Sequence, residues 1–132
     1  MIKEAYCSFE VAKLLKDKGF EGECIAYYSK YKDNNLNLYR WRNRTTYVNV
    51  RNNGYTLVPT HQMAMAWLRE VHKVLIVIDA YHADHWEGYI DTFEINIYSH
   101  ASTIIVPNEI AHHTDYEEAV EAALKFCLEN LI

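Results

Sequence analysis

VLIVIDAYHADHWEGYIDTFEINIY, residues 74–98, decides the fold. Its first part, VLIVIDAY, is apolar at consecutive positions. Such a run reads as a strand buried on both faces. Residues 74–81 are therefore expected to form a central strand, covered by helices and a loop or by a second chain. The last part, GYIDTFEINIY, alternates. Phe93, Ile95 and Ile97 fall on one side; Thr92, Glu94 and Asn96 fall on the other. That is the pattern of a half-exposed antiparallel strand. With no helical stretch between the two strands, YHADHWEGY becomes the tip of a β-hairpin.

The flanking segments are helical. Upstream, PTHQMAMAWLREVHK places Met63, Trp67, Leu68 and Val71 at helical spacing, with Thr60 as the N-cap and His72 and Lys73 at the negative end of the dipole. A methionine–tryptophan stripe of this kind is a core face. Downstream, STIIV reads as a short strand stopped by Pro107. TDYEEAVEAALKFCLENLI then reads as the last helix. Thr114 with Glu117 has the spacing of a capping box, and Asp115, Glu117 and Glu118 suit the positive end of the dipole. Tyr116, Val120, Ala123, Leu124, Cys127, Leu128 and Leu131 share one face.

Nearer the N-terminus, SFEVAKLLKDKGF reads as a helix capped by Ser8 and ended by Gly19, with Phe9 or Val11, Ala12, Leu15 and then Phe20 as its apolar face. ECIAYYSKYK, LNLYRWRNR, TTYVNVR and YTLV read as four short strands in a meander, with DNN and NNG as turns. The fold class expected is α+β: an antiparallel sheet, meander plus hairpin, covered by three helices in a single domain of residues 1–132.

Composition agrees. A chain of 132 residues fits one domain. Eleven tyrosines suit a small domain with many half-buried sheet positions. The cysteines, Cys7, Cys24 and Cys127, are odd in number and form no C-x-x-C pair. With no apolar leader at the N-terminus and no run near the roughly 20 residues that span a bilayer, a reduced cytoplasmic protein is expected. The net charge is −5, yet residues 24–60 hold six basic side chains against one acidic. Such asymmetry favours self-association or an anionic partner.

Few side chains suggest chemistry. His82, Asp84 and His85 fall within four residues, and such a cluster is a metal site only if the turn gathers them around one ion. A solvated loop tip is the plainer reading. His112 and His113 are the other candidate ligands, whereas His61 is expected in solvent and His100 before a turn. Asp79 and Asp91 could face each other across the hairpin. No Walker loop, G-x-G-x-x-G or G-x-S-x-G occurs, so no phosphate cradle or nucleophile elbow is expected. No cofactor is expected either.

In LYRWRNR, Tyr39 and Trp41 alternate with Arg40, Arg42 and Arg44. With Lys30, those arginines could follow a phosphate backbone. Outward-facing aromatics could instead stack bases.

Two resemblances accompany this reading. The order helix, strand, strand, strand, helix from residue 59 onward resembles the double-stranded RNA-binding domain, and EEAVEAALKF is similar to that family's alanine-rich final helix. The family's helix begins with lysines, whereas Asp115, Glu117 and Glu118 stand here, so its RNA-binding role is not carried over. SFEVAKLLKDKGF, PTHQMAMAWLREVHK and DYEEAVEAALKFCLENLI, about a third of the chain, resemble small uncharacterised proteins of gut Bacteroides-type bacteria and their phages or prophages. That resemblance implies a mobile-element origin and a cytoplasmic setting, and it carries no functional residue.

The reading that follows is a non-enzymatic interaction module that binds a macromolecular partner or itself. The alternatives are a nucleic-acid binder using the basic–aromatic strand and a metal-dependent enzyme at residues 82–85.

Overall fold

The computed structural model describes residues 4–30, 36–40, 55–85 and 88–132, with the backbone path alone for 30, 36, 37, 83–85 and 88–90. The fold is α+β with antiparallel sheets. In chain order the described elements are α1 (Phe9–Asp17), β1 (Ala26–Lys30), β2 (Leu36–Arg40), β3 (Thr56–Val58), α2 (His61–His72), β4 (Val74–His85), β5 (Gly88–Ser99), β6 (Ser102–Ile104), α3 (Asn108–Ala111), β7 (His112–His113) and α4 (Tyr116–Asn130). The chain divides into two compact units, Met1–Ala64 and Met65–Ile132, and the division falls inside α2.

In the first unit, Ser8 caps α1, its hydroxyl accepting from the Val11 amide at 3.2 Å. Val11, Ala12 and Leu15 turn inward and are buried. Gly19 follows the helix at φ +92°, a left-handed conformation that costs glycine nothing. α1 lies against β3. The three strands run antiparallel in the order β2-β1-β3. Ala26 and Val58 pair in register, and both are fully buried. Because β3 takes the edge of β1 opposite β2, the described strands are not a simple meander. The expected turns DNN and NNG and the strand TTYVNVR lie outside the described residues.

In the second unit, β5 is the central strand. β4 pairs along its whole length, from Val74↔Ser99 to His85↔Gly88, and β6 and β7 pair on the other side of β5. α4 packs on β5 and β4. Ile95 and Ile97 are buried and Phe93 is half-buried, as the alternation implies. The expectation for VLIVIDAY is corrected. Among the described residues β4 pairs with β5 alone and is the edge of its sheet. The apolar run does not bring burial on both faces: Leu75 is 41% exposed.

Other boundaries move for local reasons. Thr60 does cap α2, its hydroxyl accepting from the Met63 amide at 3.2 Å. α4 is capped one residue later than expected, by Asp115, which accepts from the Glu118 amide at 3.0 Å. A carboxylate does there what the Thr114 hydroxyl was expected to do. Val71 stands 59% exposed and leaves the helix stripe, and His61 is 5% exposed rather than in solvent. Among the described residues the short helix α3 joins the three helices expected. Among the described residues, no helix is long and apolar enough to cross a membrane.

Candidate interaction surface on the β4–β5 ribbon

Strand register decides which side chains meet. Directly opposed residues of an antiparallel pair share a face. Ile76, Ile78 and Ala80 on β4 therefore face the same way as Ile97, Ile95 and Phe93 on β5. Phe93 meets Tyr116 of α4 edge-on, with ring centroids 5.8 Å apart, so this is the helix-covered face. The opposite face carries Leu75, Val77, Asp79 and Tyr81 beside Tyr98, Asn96, Glu94 and Thr92. Leu75, Tyr81 and Tyr98 are all exposed.

Polar contacts tie this open face together. The Asn96 side-chain amide donates to Asp79 Oδ2 at 2.6 Å. Tyr81 Oη and His112 Nδ1 lie 3.4 Å apart. Asp79 stands directly opposite Glu94, and Glu94 opposite His112, in one row across three strands. Asp79 and Asp91 therefore do not face each other. They sit on opposite faces, and Asp91 pairs with His82, Oδ1 to Nδ1, at 2.8 Å in open solvent.

The backbone of β4 is equally informative. The His100 amide donates to the Lys73 carbonyl at 3.1 Å, continuing the register Val74↔Ser99. Close pairs recur every second residue in an antiparallel ladder. Leu75, Val77, Asp79 and Tyr81 thus bond to β5. Val74, Ile76, Ile78, Ala80 and His82 direct their N–H and C=O groups away from β5, toward the strand's outer edge.

The residues expected to hold metal fall on this ribbon as strand rather than loop. Positions 82 and 84 share one face and position 85 belongs to the other. The side chains of Asp84 and His85 lie outside the described residues, and His82 is engaged with Asp91. His112 and His113 diverge: His112 is paired with Tyr81, and His113 Nε2 lies 2.7 Å from the Ile110 carbonyl. Within neither unit do three metal-ligating side chains gather among the described residues. Cys7 and His61 do approach within 4.8 Å in the first unit, both buried. No spacing in the sequence relates them, because β1–β3 separate them along the chain.

Of the residues expected to hold nucleic acid, Arg42 and Arg44 lie outside the described residues, as does the Lys30 side chain. The Arg40 guanidinium sits 5.0 Å from the centroid of the Tyr6 ring. Tyr39 faces the other way and stacks on Tyr27 at 5.5 Å, while Tyr27 meets Tyr55 at 5.7 Å. The aromatics of this sheet are spent largely on one another. Near them, a hollow of about 260 Å³ between α1 and β3 has Lys16 and Glu21 as its charged lining groups.

All three cysteines are buried, and burial pushes the Cys24 and Cys127 thiols up to about 12. Thiols so protonated are poor nucleophiles. No protein-family model, curated protein or solved structure matches the chain, and its reading rests on this geometry.

Proposed function

We propose that this protein is a non-enzymatic interaction module that binds an extended protein segment along β4. One observation carries the reading: the edge of a 12-residue strand whose first five positions are all apolar, with alternate backbone groups directed outward. Long apolar edges attract another strand, and proteins without such a role blunt them with charge, proline or a bulge. Here the run Val74–Ile78 has none of these. The exposed Leu75 and Tyr81 supply apolar contacts beside the ladder. A cytoplasmic setting and a mobile-element origin belong to the same proposal and rest on the sequence resemblance.

The nucleic-acid alternative finds less support, since Arg40 lies over Tyr6 and the tyrosine rings pair with each other. A metal-dependent enzyme finds less again, since His82 is held by Asp91.

Selection from a displayed library of random peptides tests the proposal. Enriched peptides should be extended and alternately apolar, and should lose at least tenfold in affinity for Ala80→Pro, which removes one outward amide. Peptides that bind the variant equally well contradict it.

A further inference from the structure

We infer that the segment β4 accepts is β4 of a second copy, paired antiparallel about a twofold axis at Ile78. This inference rests on the strand-addition reading above and names its partner.

The phase of the ladder restricts the choice. Only residues whose backbone groups point outward can form close pairs with a neighbour, so even-numbered positions must meet even-numbered positions. A twofold axis at Ile78 meets that condition. It pairs Ile78 with itself, Ile76 with Ala80 and Val74 with His82. Between these close pairs fall the wide ones, where side chains approach most nearly. There Leu75 meets Tyr81 of the second copy, and Val77 meets Asp79.

Shifting the axis worsens the match. An axis at Asp79 sets the carboxylate against its own copy on an exposed face, and directly opposed like charges are destabilising. An axis at Val77 sets Tyr81 against Lys73 and shortens the ladder. The axis at Ile78 uses every outward group from Val74 to His82 and sets the exposed Leu75 against the exposed Tyr81. It also leaves each Asp79 opposite an aliphatic side chain, still bonded by Asn96 of its own chain.

Closure gives a second reason. An isologous pair consumes both copies of the edge and stops at two. Among the described residues the other side of β5 pairs with the short strands β6 and β7, so that side of this sheet offers no second long apolar edge to propagate a fibre. A strand with this composition is a hazard when open and safe when paired with itself.

Two measurements on the full chain test the inference. Sedimentation equilibrium from about 1 µM to about 1 mM should show a monomer–dimer equilibrium with no larger species, and Ala80→Pro should weaken it at least tenfold. Val77→Cys and Asp79→Cys, both on the open face, should form a disulfide-linked dimer when mixed under mild oxidation, because the two positions oppose each other across a wide pair about 4.5 Å between Cα atoms. Neither should cross-link efficiently alone. A strictly monomeric chain overturns the inference, as does a dimer unaffected by Ala80→Pro. Self-linkage of Val77→Cys or of Asp79→Cys moves the axis and overturns the register. A chain that stays monomeric yet binds peptides along β4 removes self-pairing and leaves strand addition intact.

Discussion

At the residue scale, burial explains more than identity does. Cys24 and Cys127 are thiols held neutral by their surroundings, both raised from 9.0 to about 12. Below pH 9 the thiols are protonated whether the chain is folded or unfolded, so their contribution to stability is complete. As pH rises from 9 toward 12 the unfolded chain ionises and the folded chain does not, and that contribution is lost. Denaturant titrations should therefore show stability falling across this window, with a shallower fall for Cys127→Ala. At neutral pH, iodoacetamide should label the native chain far more slowly than the unfolded one; equal rates would contradict the burial. Cys127 was legible from its place on a helix face. The closeness of Cys7 to His61 was not, because a contact between residues 54 positions apart leaves no periodic trace.

At the scale of elements, local chemistry was mostly readable. Ser8, Thr60 and Gly19 act at the helix ends where their side chains imply. The turn between β5 and β6 was not readable. His100 and Ala101 connect Ser99 to Ser102 with φ of 50° and 65°, the two-residue turn that asparagine and glycine usually supply. Neither residue advertises it. A left-handed conformation costs an L-residue about 1–2 kcal/mol, and part of that returns as entropy when glycine is introduced. Ala101→Gly should accordingly stabilise the protein by about 0.5–1 kcal/mol in urea unfolding. A loss of stability would mean that the turn differs from the one described.

β4 shows why periodicity stops short at this scale. A run of apolar residues states that both faces of a strand avoid water. It does not state what covers them. The run implies a central strand, yet β5 lies on one side of it and, among the described residues, no strand lies on the other. β5, whose alternation is the usual mark of a one-sided strand, takes the centre instead. The same signal serves a central strand and an apolar strand at the edge of its sheet. Only topology tells them apart.

At the scale of the whole molecule, the fold class was legible and the proposed binding surface was not. The alternation of strand and helix patterns leads to α+β architecture without further information. The site depends on register, since one residue of slip would exchange the open face for the helix-covered one. Register shows in the Lys73–His100 bond and in the pairing that runs from Val74↔Ser99 to His85↔Gly88, neither of which composition reveals. The polar cluster at 82–85 has the residue types of a metal site, whereas the plain aliphatic run before it bears the proposed function.

The most direct test of that function is amide exchange along β4, followed residue by residue at increasing protein concentration. In dilute solution Ile76, Ile78, Ala80 and His82 should exchange much faster than Leu75, Val77, Asp79 and Tyr81, whose amides bond to β5. As concentration rises, the four fast amides should slow together while the others hold steady. Uniform protection of all eight in the dilute monomer would mean that the edge is already closed within the chain, and would contradict the account.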